Sequence, residues 1–309
     1  MSVVETSPTL KTPETPKAAL AVYVSNATNT LREVICCPPT YYVFNAINEI
    51  TKAWMEQGET ERNEQMVTEW RSMTDAYRDL GVTVHEVAPD PNLEVMTFTR
   101  DFGAMVREGA IIGHFRHPVR QAETARYEAK LKELGVPIVA RCNAGCFEGG
   151  DFWMLDDHTL AFGLVDRTDL FGVANLREQL EKYGYTVVGV PVPPDNLHLD
   201  MVFNIVAPGI CLAVTQQLPH PFLEMLRRRH FTIIDVAPEL VFQHGANVQA
   251  LGDGRVLGIK NNATVNAALK AEGLDVIELE LAQLLKAGGG PHCSTFPVRR
   301  DPSPTEVDK

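Results

Sequence analysis

Cys293 closes the stretch Gly288-Gly289-Gly290-Pro291-His292. Glycines and a proline make that backbone loop-like and let it approach a ligand closely. A thiol placed there is a strong nucleophile once ionised, and a neighbouring cation raises the ionised fraction. His198, in His198-Leu199-Asp200, is the matching acid/base, because imidazole titrates near neutral pH and can take and give a proton. In Glu148-Gly149-Gly150-Asp151 the glycines allow a tight turn and keep bulk out of a pocket. One of its two carboxylates could orient His198 and stabilise its charged form. Asp101 and Asp200 remain as clamps for a planar cation, since a guanidinium presents fixed N–H forks that match carboxylates at two points.

Acids converging without basic partners imply a cationic or a metal ligand. Sulfur and imidazole would suit zinc better than magnesium. Only one histidine and one cysteine are well placed, so no metal is expected. Cys142 and Cys146 lack a second Cys/His pair at zinc spacing. Arg120 and Arg167 each follow a hairpin; either could hold a substrate carboxylate, or open a helix on the surface. The bland alternatives are a buried structural Cys293 and a core His198. His244 and His292 read as structural, His292 because neighbours on an extended segment point opposite ways.

A repeat must bring these groups together. Asp101, Asp151, Asp200, Asn247 and Cys293 are spaced by 50, 49, 47 and 46 residues. Each of the first four precedes two apolar strands around a tight turn, an amphipathic helical stretch and a third strand. In the first unit the hairpin turns at Arg107-Glu108-Gly109. A helix with Ala125, Ala129, Leu131 and Leu134 near helical spacing follows and stops at Gly135. The fourth unit carries Gly252-Asp253-Gly254, a good hairpin turn. A fifth unit is split between the ends: the strand after Cys293 pairs with the N-terminal strand holding Cys36 and Cys37. Five like units closed by both termini imply a ring without exposed sheet edges. Equivalent places then face one another, so segments 97–101, 147–151, 198–200, 243–247 and 288–293 converge on one pocket. Core packing does not select their mix of acids, histidines, glycines and a cysteine.

The bulk numbers fit. The chain has 309 residues, 45% hydrophobic and 22% charged, an ordinary globular composition. No apolar run approaches the roughly 20 residues that span a bilayer. Net charge is −12 with no evident basic patch, which speaks against a nucleic-acid partner and suits a cationic substrate. Residues 1–18 read as a disordered arm without a signal peptide, 19–301 as a single α/β domain and 302–309 as a flexible tail. The cysteines are expected to be reduced and the location cytoplasmic. Residues 40–60 are an insertion between the N-terminal strand and its helix, read as a lid over the pocket or a packed surface loop.

Four motifs in this order, Thr99-Arg100-Asp101, Glu148-Gly149-Gly150-Asp151, His198-Leu199-Asp200 and Gly289-Gly290-Pro291-His292-Cys293, resemble the guanidino-group modifying superfamily: arginine deiminases, dimethylarginine hydrolases, agmatine deiminases and amidinotransferases. Gly163 and Arg167-Thr168 add to the match, which runs from about residue 30 to residue 301. The resemblance implies a five-bladed α/β propeller with pseudo-fivefold symmetry, built of repeated ββαβ units. It implies Cys293 as nucleophile toward the guanidinium carbon and His198 as acid and base. Glu148 would support both His198 and the guanidinium, with Asp101 and Asp200 on the guanidinium nitrogens. Arg167, and with it Arg120, would bind the α-carboxylate. No cofactor is implied, and relatives suggest a homodimer. Glu148 points to a hydrolase of arginine or an Nω-substituted arginine, giving a ureido product. The stretch 198–210 and the closing Val298-Arg299-Arg300-Asp301 resemble amidinotransferases, which is the alternative; a binding module without turnover is the third reading.

Overall fold

The computed structural model describes residues 22–302. The expected arm, 1–18, and all but the first residue of the expected tail, 302–309, lie outside the described residues.

The chain opens with β1 (Leu31–Cys36), α1 (Glu49–Glu56), α2 (Asn63–Asp79) and β2 (Thr83–Glu86). The next unit is β3 (Gly103–Val106), β4 (Gly109–Ile112), α3 (Pro118–Gln121), α4 (Glu123–Glu133) and β5 (Ile138–Arg141). Then come β6 (Phe152–Asp156), β7 (Thr159–Leu164), α5 (Leu170–Leu180) and β8 (Thr186–Pro191). They are followed by β9 (Phe203–Ala207), β10 (Ile210–Ala213), α6 (His220–Arg228) and β11 (Thr232–Asp235). The chain finishes with β12 (Gln249–Gly252), β13 (Arg255–Ile259), α7 (Ala263–Ala271), β14 (Asp275–Leu279), α8 (Gln283–Lys286) and β15 (Phe296–Arg300).

These strands form five three-stranded sheets. In each, the middle strand runs antiparallel to the inner strand and parallel to the outer one, reached through a helix. An antiparallel pair needs only a tight turn; a parallel pair needs a crossover, which the helix supplies. The fifth sheet, β15-β1-β2, joins the two ends of the chain, as the split repeat predicts.

Burial explains why each unit holds one strand in and one out. The inner strands β3, β9 and β12 are buried along their whole length, and β6 and β15 along most of it. The outer strands are more open: β2 and β11 carry no buried residue, and β5, β8 and β14 mix buried positions with half-buried and exposed ones. A strand covered on both faces reads as a continuous apolar run, and one half covered alternates. Inner strands touch neighbouring units: β9 against β12, β15 against β3, and β12 against the middle strand β1. Phe102, just before β3, stacks on Phe296 of β15 at 4.1 Å and on Tyr127 of α4 at 4.4 Å. Each such ring contributes about 1.5–3 kcal/mol when fully buried.

The α4 face differs from the sequence expectation. Glu123, Tyr127 and Leu131 point inward at i, i+4 and i+8, while Ala125 and Ala129 are exposed. The polar phenol was passed over because its hydroxyl finds a buried acceptor, the carbonyl of Met96. Among the described residues no helix is long and apolar enough to cross a membrane.

Candidate active site

Three of the spaced acids sit in one-turn 3₁₀ segments that lead into the inner strands: Thr99–Phe102, Gly149–Asp151 and Leu199–Met201. The first and second of these touch each other, as do the second and third. Gly149 and Gly150 permit that approach. A Cβ on Gly149 would lie 1.9 Å from the Gly103 carbonyl oxygen, and one on Gly150 would lie 2.6 Å from His198 Nδ1. The sequence places Gly-Gly here because the His198 ring lies against Gly150.

A cavity of about 330 Å³ is lined by Asp101, Arg120, Arg167, His198 and Cys293, with Ile47 and Asn48 from the 40–60 segment. Glu148 and Asp200 stand just behind that lining, both fully buried. Every candidate from the sequence is therefore in or directly against one pocket.

His198 donates from Nε2 to Glu148 Oε2 at 3.0 Å. Its Nδ1, 3.8 Å from Asp101 Oδ1, is left as the nitrogen available for proton transfer. Burial alone would lower the His198 pKa. Asp101, the Glu148 hydrogen bond and Asp151 outweigh burial and raise it to about 10. Burial likewise works against the Glu148 charge, but the hydrogen bond and charge of His198, then Arg167 and Arg120, hold its carboxyl down to about 2. Glu148 is fixed further by the Arg116 backbone N–H on Oε1 at 3.1 Å. Asp151 does a different job: its Oδ1 accepts the Leu199 N–H at 2.8 Å and so sets the backbone beside His198.

Cys293 is 8% exposed and receives an N–H from Asn247 Nδ2 at 2.9 Å. Its Sγ lies 3.6 Å from Asp200 Oδ2. Burial first, then the charges of Asp200 and Asp101, push the thiol well above its ordinary pKa, with the Asn247 amide opposing. Asp200 Oδ2 also accepts from His292 Nδ1 at 2.8 Å. Burial works against the Asp200 charge, and the His292 bond lowers its pKa overall.

His292 corrects one expectation. The segment around Cys293 is not extended but turned, with Ser294 N–H on the Gly290 carbonyl and Thr295 N–H on the His292 carbonyl. His292 and Cys293 consequently reach the same carboxylate. His292 is stacked on Trp153 at 4.8 Å, and burial, with the nearby Arg100 charge, lowers its pKa to about 4, so it is a neutral spacer. His244 caps a turn in the left-handed region, φ 60°, and donates to the Leu285 carbonyl at 2.9 Å.

The arginines differ. Arg120 is buried, not on the surface: it donates to Asp101 Oδ2 at 2.6 Å, to both Glu123 oxygens and to the Phe98 carbonyl. Most of its donors are thus turned away from any ligand. Arg167 is also buried; it donates to Asp166 at 2.7 Å and to the Ile47 carbonyl, and lies 3.6 Å from Glu148. It thereby ties the 40–60 insertion to the cavity rim. Tyr42 and Asn48 tie the same insertion to the Ala287 carbonyl, and Thr51 ties it to that of Lys286.

Three carboxylate oxygens are left over, one of them Asp151 Oδ2 on the acid that holds the Leu199 N–H. Asp101 Oδ1 and Asp200 Oδ1 are buried without a hydrogen-bond partner among the described residues. Such oxygens carry a cost of about 1–3 kcal/mol each until a donor reaches them. Asp101, Glu148 and His198 bring donor atoms within 4.8 Å of one another, a spacing a metal could use. The donor set fits a metal poorly, because Arg120 and Arg167 already neutralise those acids and His198 holds its proton.

Asn247 lies against the Cys293 sulfur, at a position that sequence reasoning placed but gave no role. It receives the His292 N–H at 2.9 Å on Oδ1 while its Nδ2 faces the sulfur. Its signal was the break in the repeat: an amide where three other units carry Asp.

Several known proteins are similar to this chain along most of its length. The uncharacterized protein YkgA of Bacillus subtilis is 29% identical over 92% of this chain and 98% of its own length. The arginine deiminase of Limosilactobacillus reuteri is 26% identical over 78% of this chain and 68% of its own. The fold is shared with the N-terminal domain of ArgZ, a cyanobacterial arginine dihydrolase, at a TM-score of 0.77 and 22% identity, covering 87% and 98% of the two chains. It is also shared with SxtG of Microseira wollei, an amidinotransferase, at a TM-score of 0.75 and 20% identity, covering 91% and 98%. The chain spans about 40% of the longer AgrE chain, which it matches at a TM-score of 0.77 and 20% identity. The family model described as N,N dimethylarginine dimethylhydrolase, eukaryotic, matches residues 38–300. With that match across most of its length, the chain belongs to this family, within the guanidino-group modifying enzyme superfamily.

Proposed function

We propose that the protein hydrolyses the guanidino group of arginine or a methylated arginine through a covalent amidino-cysteine. The observation that carries this reading is that Asp101 and Asp200 each hold a buried oxygen, Oδ1 in both, without a partner among the described residues, while Asp200 Oδ2 lies 3.6 Å from the Cys293 sulfur. A guanidinium carries N–H donors at the angles that satisfy both, and it brings a positive charge to a thiol that is otherwise neutral.

In the proposed sequence the bound cation favours the Cys293 thiolate, the thiol proton leaving to solvent as the substrate enters, and the thiolate attacks the guanidinium carbon. Protonated His198 gives its proton to a departing nitrogen, and ammonia or an alkylamine leaves as the C–N bond breaks. The S-amidino adduct remains. His198, now neutral, takes a proton from water; the hydroxide adds to the same carbon, and the C–S bond breaks. The products are a ureido group and the regenerated thiolate. Glu148 keeps His198 oriented and charged at the start. Arg120 holds Asp101, and Arg167, whose guanidinium lines the cavity, is the anchor for the substrate carboxylate. The 40–60 insertion serves as the cover that excludes bulk water.

The proposal includes closure of the five sheets into a propeller, supported by the contacts of inner strands from unit to unit and by the fifth sheet made from both ends. It treats 19–301 as one catalytic unit acting in the cytoplasm on a small cation, without a nucleic-acid partner; the net charge of −12 supports that.

A second reading, amidino transfer to an amine, is favoured by the stretch 198–210 and the closing Val298-Arg299-Arg300-Asp301. One assay separates them: ureido-product formation from arginine, mono- and dimethylarginine and agmatine, with no acceptor amine and with Cys293→Ala as control. Product with wild type alone supports the hydrolase. No product until an acceptor amine is added transfers the assignment to the second reading, and product from Cys293→Ala removes the covalent mechanism.

A further inference from the structure

A second cavity lies on the other side of His292 from the one that holds Cys293. It spans about 460 Å³, including space open to solvent, and is lined by Arg100, Arg300, Trp153, Asn204, Gln249 and His292, with apolar side chains completing its wall. Nothing in the proposed reaction uses it.

Its charge balance is unusual. Arg300 is 3% exposed and donates only to the carbonyls of Asn29 and Ala250. Arg100 donates to the His292 carbonyl at 3.3 Å and to Gln249 Oε1 at 3.0 Å. Among the described residues neither has a carboxylate at ion-pair distance. Asp200, whose charge Arg100 feels, is already taken by His292. Arginine in a protein interior is nearly always paired with an acid, because an isolated buried charge is costly. Two guanidinium groups facing one cavity without an acid leave its positive charge unbalanced. Burial and the repulsion from Arg100 together lower the Arg300 pKa to about 9.

Two more polar groups there lack partners. Trp153 is 5% exposed, and its indole N–H has no acceptor among the described residues. Asn204 is fully buried; its amide nitrogen donates to the Ala246 and Val248 carbonyls, which fixes the amide's orientation, and its oxygen is left without a donor. The cavity therefore offers two cationic forks, one neutral donor and one acceptor. That set matches an anion with several acceptor oxygens and one O–H.

We propose that this cavity binds a small O–H-bearing oxyanion, of the hydrogen phosphate or hydrogen carbonate type, between Arg100 and Arg300. The site abuts the nucleophile's own segment. The Arg100 backbone N–H donates to the Cys293 carbonyl at 3.0 Å, and Trp153 stacks on the histidine that holds Asp200. An anion there fixes the arginine that braces Cys293 from behind. This inference does not depend on the reaction proposed above.

The test is equilibrium binding of phosphate and of bicarbonate to the full chain by titration calorimetry at constant ionic strength, with acetate and chloride as comparison anions. Saturable binding of either oxyanion at one per chain is expected, at least tenfold weaker in Arg300→Gln and weaker in Trp153→Phe. Trp153→Phe keeps an aromatic ring beside His292 while removing the indole N–H together with part of the ring system, so it serves if Arg300→Gln does not fold. Arg167→Lys, in the other cavity, is expected to leave the binding unchanged. Absence of saturable binding by both oxyanions overturns the proposal. So does binding that survives both cavity variants, binding that is lost in Arg167→Lys, or acetate binding as tight as either oxyanion.

Discussion

Replacing Glu148 by Gln tests whether charge, and not only shape, sets the state of His198. Glutamine is isosteric and its side-chain oxygen can still accept the Nε2–H now given to Oε2 at 3.0 Å. What goes is one negative charge about 4 Å from the centre of the imidazolium. At the effective dielectric of protein sites that interaction is worth about 4 kcal/mol, or about three pH units of proton affinity. His198 should therefore fall from about 10 to about 7. A general acid must be protonated, so activity is lost as pH rises through its pKa. In wild type the basic limb of kcat/KM for the preferred guanidine should lie near pH 10; in Glu148→Gln it should lie two to three units lower. At pH 8 a group with a pKa near 7 is only about one-tenth protonated, so a roughly tenfold loss in kcat/KM follows, growing with each further pH unit until wild type also titrates. Stability moves in the same sense. A histidine raised in the folded state contributes stability that is complete below its unfolded value, about 6.5, and lost as pH rises through its folded value. Wild type should lose that contribution near pH 10 and the variant near pH 7, read by thermal melting across pH. A variant whose basic limb stays near pH 10, with kcat within threefold of wild type, refutes the role given to Glu148.

Three further substitutions probe the remaining parts. Asn247→Ala removes the N–H on the Cys293 sulfur and leaves the His292 N–H unpaired; about 1–3 kcal/mol, or a 10- to 100-fold drop in kcat/KM, is expected, and activity within twofold would exclude a role at the sulfur. Gly150→Ala puts a methyl 2.6 Å from His198 Nδ1, so kcat should fall about 10²-fold while circular dichroism shows the fold intact; an active variant would mean that His198 can shift freely. Arg167→Lys keeps the charge but loses the two-point fork, so KM for arginine should rise 10-fold or more with little change for agmatine, which lacks the carboxylate. Equal effects on both substrates would place Arg167 elsewhere than on the carboxylate.

The repeat carried most of what the sequence made legible. A period near 48 residues, seen in five acid, amide or thiol positions, placed five hairpin-plus-crossover units and the sheet shared by the two ends; the observed strands fall within those segments. Most inner-strand positions are apolar, so the chain itself marks these strands, although β9 holds Asn204, β12 opens on Gln249 and β15 ends in two arginines. Side-chain direction was less legible. Tyr127 and Glu123 face inward because a carbonyl and Arg120 meet them there, partners 31 and 3 residues away that no helical period reveals. Arg120 was ambiguous for the same reason. An arginine after a hairpin may open a helix or hold a ligand; only the fold shows that Asp101 and Glu123 enclose it. The turned backbone at Cys293 was hidden too, since glycines permit many paths and Asn247, 46 residues earlier, selects one.

The two halves of the site are held in opposite electrostatic states, and that division is what the fold contributes. On one side His198, Glu148, Arg167 and Arg120 form a network of charges in which each group's ionisation supports its neighbour's. On the other, Cys293 faces Asp200 and Asp101 with no cation at the sulfur, so its thiol keeps its proton. A nucleophile held neutral beside two carboxylates cannot react with an uncharged electrophile at an appreciable rate, because only the thiolate attacks. A ligand that brings its own positive charge satisfies the orphan oxygens and favours the thiolate in one step. In the proposed reaction, selectivity for a cation and activation of Cys293 are then one event, because the acids that would hold the cation, Asp101 and Asp200, are also those that keep the thiol neutral without it.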